Sequence, residues 1–168
     1  MTVVPGQTDT TTLALDAIQA ATEIFVAADT HDWIRLRSRL ADRVLLDWTS
    51  LNGGEPAELT GDQVTEAWRT LLSAFDATHH QLGNFLIDHI DTDGARLRFY
   101  GTATHVLASP GQDGRWVLGA RYQAVLRHTD DGWRTTELTL TPVWGEGNQN
   151  LLAVAAARAA GTTAEGAS

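Results

Sequence analysis

From Thr78 to Val143 apolar and polar residues alternate with a period of two, interrupted by turn sequences at DTDG (Asp91–Gly94), PGQDG (Pro110–Gly114) and TDDG (Thr129–Gly132). This pattern predicts four long strands in a meander, at about 78–90, 95–108, 115–128 and 133–143. The first two strands carry four of the six histidines: His79, His80, His89 and His105. Imidazoles on strands that otherwise read as core are the feature any functional account must explain.

Ahead of the strands the period is helical. Ile18, Ala21, Phe25 and Ala28 recur at three- and four-residue steps behind Thr12, a competent N-cap, which predicts a helix ending near Asp29. Asp29, Thr30 and Asp32 can cap a short second helix carrying Trp33, Leu36 and Leu40. RVLLDWTSL (Arg43–Leu51) reads as extended, and Thr60 with Gln63 forms a capping-box pattern before Val64, Ala67, Trp68, Leu71, Leu72 and Phe75. Helices first and an antiparallel sheet afterwards is an α+β arrangement, a curved sheet covered on one face and enclosing a cone-shaped pocket. NQNLLAVAAARAA (Asn148–Ala160) has high helix propensity and suits a lid or a partner-binding helix. The expected organisation is a polar, frayed segment 1–11, one domain over 12–147, and a helix with a small-residue tail over 148–168.

Composition closes several functions. At 168 residues and 43% hydrophobic content the chain can bury one core unaided, and without cysteine it has no disulfide, thiolate metal site or thiol nucleophile. A net charge of −9 argues against nucleic acid, since Arg96 and Arg98 alone make no basic face. No uninterrupted apolar run approaches the roughly 20 residues of a membrane span. MTVVPGQTDTTT lacks the basic start and apolar stretch of a secretory signal, so the cytoplasm is the expected compartment.

Strand parity sorts the histidines, because residues of one parity share a face. His105 is in phase with Leu97, Phe99, Ala103 and Leu107, and so faces the apolar side. His80 is in phase with Leu82 and Leu86 but also with Asn84, which mixes the signal. Tyr122 is the polar-tipped member of the row Trp116, Leu118, Ala120, Ala124 and Leu126, and Trp48 shares parity with Val44 and Leu46. Trp48, Tyr122 and Asn84 are the substrate-contacting candidates, and such a lining suits a small hydrophobic or aromatic molecule. His89 and His128 adjoin turns and receive no role, and His31 and His79 are expected at the rim or outside.

The segments DTHDWIRLR, LLDWTSL, THHQLGN, TATH and DGWRTTELTLTPVWGE, in that order between Phe25 and Glu146, resemble the SnoaL-like branch of the NTF2-like (cystatin-like α+β) superfamily, and within it the scytalone dehydratases. The resemblance implies that Asp29 supports His105 while His80 transfers protons beside the substrate. It also implies association into dimers or trimers, for which the outer row Arg121, Gln123 and Arg127 with Val117 and Val125 is the candidate surface. Two tyrosines that polarise the substrate carbonyl in that family are replaced here by Ala28 and Trp48, so that device is missing; Tyr122 is a candidate replacement hydroxyl.

The chemistry these residues suit is proton transfer next to a carbonyl, or expulsion of hydroxide after it, since histidine ordinarily titrates near neutrality. His80 is the acid/base, and Asp29 is expected to favour a protonated His105 that donates to a developing oxyanion. The two histidines and the aspartate lack a local metal-ligand spacing, and no Gly-rich turn feeds a helix, so neither a metal nor a nucleotide cofactor is expected. The expectation is a cofactor-independent lyase or isomerase acting on an aromatic or polyketide-like molecule. The competing one is a non-catalytic ligand-binding or assembly protein of the same fold.

Overall fold

The computed structural model describes residues 9–108 and 114–165. Most of the expected frayed N-terminus, nearly all of the PGQDG turn and the end of the tail lie outside those residues. Helix α1 (Thr10–Asp29) begins at Asp9, whose side chain accepts from the Thr11 N–H, three residues earlier than Thr12 would have started it. Its inner face buries Ala17, Ala21, Ile24, Phe25 and Ala28 almost completely. By length and composition α1 could cross a membrane, a test the run-based sequence reading missed because Asp16 and Glu23 interrupt the apolar residues; half of it is buried within the protein, as a core helix is.

Asp32 caps α2 (Trp33–Ser38), accepting from the Arg35 N–H, and β1 (Leu40–Asp47) follows. The strand stops at Asp47, whose carboxylate accepts from the Thr49 N–H and Oγ1 and starts α3 (Thr49–Asn52). Trp48 is therefore the residue before a helical turn, where parity had placed it on a strand. The four-residue strand β2 (Ala57–Thr60) was not anticipated; it is short, and Pro56 and Glu58 mask any alternation. Helix α4 (Gly61–Leu72) carries the expected capping box, with Gln63 N–H donating to Thr60 Oγ1 at 3.1 Å and Thr60 N–H to Gln63 Oε1 at 2.8 Å.

The meander is β3 (Ala77–Ile90), β4 (Gly94–Val106), β5 (Arg115–Thr129) and β6 (Gly132–Gly147), close to the predicted limits except that β6 runs on by four residues. The sheet has six strands in the order β2-β1-β6-β5-β4-β3 and is antiparallel, as expected, except that β1 runs parallel to β6. The parallel pair is permitted by the long path through four strands that separates β1 from β6 in sequence. Two bulges interrupt β3: Gly83 faces Tyr100 while Leu86 faces Arg98, so one extra residue is inserted near Asn84, which takes a left-handed φ of 53°. The bulge reverses the inward phase, from His80 and Leu82 to Phe85, and this accounts for the mixed parity around His80.

Helices α1 and α4 cover the inner face, where Phe25 packs against Tyr122 (5.2 Å between ring centres), Phe99 (6.2 Å) and Trp68 (6.1 Å). Burying a ring of this size contributes about 1.5–3 kcal/mol. Helix α5 (Leu151–Glu165) closes over α4, with Leu151 and Ala155 fully buried and Arg158 bonded to Ala74 O and Asp76. Gly101 serves the packing by close approach: a Cβ there would lie 2.7 Å from the Tyr122 ring and 2.9 Å from a Leu82 methyl. Gly101→Ala is expected to destabilise the fold by about 1–3 kcal/mol in urea unfolding, because two well-packed side chains must move.

Candidate active site

The end of α1 reaches across to β3. Asp29 Oδ2 accepts from the His80 backbone N–H at 2.6 Å, and Oδ1 accepts from Thr78 Oγ1 at 2.9 Å and lies 2.7 Å from His80 Nδ1. Thr78 and His80 share a face because they are two residues apart on a strand. Burial alone would raise the Asp29 pKa, but the hydrogen bond and charge of His80, its backbone N–H and the Thr78 hydroxyl outweigh it and hold the carboxyl below the usual range. An ionised Asp29 can only accept, so Nδ1 of His80 carries the proton and, in the neutral ring, Nε2 holds the free lone pair. The pair is well shielded, with 9% of the His80 and 14% of the Asp29 side chain exposed.

His105 sits one strand over, on β4 beside Thr78 in register. Its ring stacks on Trp116 (5.0 Å), tilts against Phe75 (5.0 Å) and stands perpendicular to His80 (5.9 Å, 85°). Burial first, and the charge of His80 second, push the His105 pKa down to about 4, against weaker opposing effects from the Trp116 backbone and Asp29. His105 is thus neutral at neutral pH, and Asp29 supports His80. Both points correct the expectation that Asp29 orients His105 and keeps it charged: α1 ends over β3, out of hydrogen-bonding reach of β4.

His80 and His105 line one cavity together with Trp48, Trp68, Trp116, Tyr122 and leucines from α3, α4, β5, β6 and α5. Its empty volume is about 600 Å³ with the open mouth included. Trp48 and Trp68 meet at 5.6 Å and narrow the space without filling it. Burial pushes the Tyr122 phenol up to about 12, so it stays protonated. Trp48 Nε1 and His105 Nδ1 are buried without a hydrogen-bond partner. Asp29 stands behind His80, outside the lining.

Asn84 is not part of this cavity. It is exposed at the bulge and borders a separate pocket on the outer face, with Tyr100, Arg121 and Gln123, apart from the other substrate-contacting candidates. The fully buried Ala28 packs in the core. Of the remaining histidines, His31 stacks on Trp33, His79 is exposed, His89 pairs with Asp91 at 2.8 Å, and His128 tilts against Trp133. Among the described residues no group of three or more His, Asp or Glu side chains is placed to hold a metal ion.

Sequence reasoning missed Thr78 as the second donor to Asp29, and Phe75 and Trp116 as the walls that keep His105 neutral. The Thr-x-His spacing on one strand face was the available signal for the first. Nothing local signals the second, since the two rings come from the turn after α4 and from β5.

No curated protein matches the chain. The solved structure of Kfla4162 from Kribbella flavida is similar at 27% identity with a TM-score of 0.81, over 86% of this chain and 99% of that one. A Novosphingobium aromaticivorans protein provisionally named as a scytalone dehydratase is similar at 18% identity (TM-score 0.66; 85% of this chain, 93% of that one). The hexachlorocyclohexane dehydrochlorinase LinA-type3 from Novosphingobium barchaimii LL02 is similar at 15% identity (TM-score 0.62; 81% and 90%). The last two likenesses show a shared fold. The description of a SnoaL-like domain fits residues 10–139, most of the chain, and the protein therefore belongs to the SnoaL-like family.

Proposed function

We propose that the protein is a cofactor-independent lyase or isomerase that moves a proton on a small aromatic or polyketide-like molecule. The observation that carries this reading is the Asp29–His80 pair, which holds an imidazole with its basic nitrogen free at the wall of an apolar cavity. Nε2 of His80 removes a proton from a carbon of the substrate. The C–H electron pair forms a double bond to the neighbouring carbon, whose leaving group departs with its own bonding pair and takes the proton back from His80 or from water. Two proteins of the same fold are named for this type of chemistry, loss of water in one and loss of HCl in the other. In the isomerase variant the carbonyl oxygen accepts the electron pair, and His80 returns the proton at a different carbon.

His105 acts here as a neutral hydrogen-bonding wall group. The narrowing of the cavity by Trp48 and Trp68 favours the second reading, a ligand-binding or assembly protein without turnover. The test is to incubate wild type and His80→Ala with hydroxylated and halogenated aromatic ketones in D₂O. Loss of water or HX, or deuterium gain next to the carbonyl, is expected by mass spectrometry with the wild type alone. Equal conversion by both proteins would remove His80 from the chemistry, and binding without conversion in both would favour the second reading.

A further inference from the structure

We propose that Asn52 is a covalent modification site, converted without an enzyme to aspartate and isoaspartate, and that the conversion puts a carboxylate at the mouth of the cavity. The chemistry needs only Asn52, Gly53 and water, so it stands whether or not the protein turns over a substrate.

The chain has four asparagines, at 52, 84, 148 and 150, and only Asn52 precedes glycine. An asparagine side chain is attacked by the backbone nitrogen of the next residue, and the Cβ of that residue ordinarily crowds the approach. Gly53 has no Cβ, and the space where one would stand is open. Asn52 is exposed at the end of α3, ahead of Gly53 and Gly54 with left-handed φ values of 71° and 82°. One bond restrains the nucleophile, since the Gly53 N–H donates to Thr49 O at 2.7 Å. It closes a helix of four residues, and a single turn opens at little cost.

With that bond open and the amide deprotonated, the Gly53 nitrogen adds to Asn52 Cγ. The side-chain nitrogen leaves as ammonia with the electron pair of the broken C–N bond. Water opens the resulting five-membered imide at either carbonyl, to aspartate at one and isoaspartate at the other. One water is consumed, one ammonia is released, and nothing is oxidised or reduced. Asn52 is both exposed and part of the cavity lining, which holds no arginine, aspartate or glutamate. Conversion therefore gives the lining a formal charge, unfavourable to any anionic ligand that loses water there.

Wild type and Asn52→Gln are to be kept folded at mildly alkaline pH and sampled over weeks by anion exchange and mass-spectrometric peptide mapping. Wild type is expected to form a species one charge more negative than −9, with the change in the peptide that holds Asn52. Its rate is expected to exceed that at Asn84, Asn148 or Asn150 by roughly tenfold or more and to rise with pH. Asn52→Gln, whose longer side chain closes a ring far more slowly, is expected to stay a single species. Should that variant fail to fold, wild type in urea serves as the comparison. Conversion in urea with none in the folded chain would mean that Thr49 keeps the nucleophile out of reach, and would overturn the proposal. So would equal rates at the four asparagines, or the acidic species persisting in Asn52→Gln. The charge is checked with Asn52→Asp, in which the NMR ring signals of His80 or His105, in the same lining, are expected to move; unmoved rings would mean that the carboxylate lies outside the cavity.

Discussion

Asp29→Asn is expected to slow the proton-transfer reaction roughly 10²- to 10⁴-fold, about as far as His80→Ala, although the new side chain has the same shape. Three donors converge on the carboxylate: the His80 backbone N–H, the Thr78 hydroxyl and His80 Nδ1. An amide offers one oxygen and one NH₂. If its oxygen faces Thr78 and Nδ1, the NH₂ opposes the backbone N–H. If it is turned over, the NH₂ meets Nδ1, and the imidazole is driven to the tautomer protonated at Nε2. Either the pair is broken or the lone pair leaves the cavity, and the base is lost in both cases. Steady-state kinetics on any substrate found in the D₂O screen checks the rate, and ¹⁵N shifts of the His80 ring check the tautomer without a substrate. Near-wild-type turnover in Asp29→Asn would mean that Asp29 is only the end of a helix that happens to touch β3.

How much of this site could be read beforehand follows from how local each signal is. His105 was placed inward by parity because no bulge interrupts β4 on the way to it, whereas the insertion at Asn84 reversed the phase of β3 and blurred His80. The capping box at Thr60 and the turns at Asp91 and Thr129 are short-range chemistry and were legible as written. The partner of Asp29 was not, because two inward imidazoles on neighbouring strands look alike until the strand beneath the end of α1 is known. Nor was the charge state of His105, which depends on Phe75 and Trp116 closing over it from distant elements. The parallel pairing of β1 with β6 belongs to the same class, a contact across some ninety residues for which alternation carries no information.

Glu23 is the chain's least expected buried charge, and replacing it is predicted to have the largest effect on stability. It lies on the buried side of α1 with 6% of its surface exposed, and it accepts from Gln19 (3.0 Å), Arg35 (2.8 Å) and Arg39 (2.5 Å). It thus ties the helix that carries Asp29 to α2 and to the residue before β1. Burial would raise its pKa, but the bonds from Arg35, Gln19 and Arg39 prevail and bring it from 4.5 to about 2. A carboxylate with a depressed folded-state pKa contributes its full stabilisation above the unfolded value and loses it as pH falls through the folded one. Allowing for the solvent exposure of Arg35, that contribution is about 2–3 kcal/mol at neutral pH. Glu23→Gln should then lower Tm by roughly 5–10 °C at pH 7, and in urea the gap from wild type should shrink by more than half at pH 3. The variant should keep a separate acid sensitivity. His105 is neutral when folded down to about pH 4 but gains a proton in the unfolded chain near 6.5, so stability falls as pH drops through that window whether or not Glu23 is present. A Glu23→Gln curve parallel to wild type from pH 7 to pH 3 would mean that the arginines contribute packing alone. A flat one between pH 6.5 and 4 would mean that His105 is not held neutral by burial.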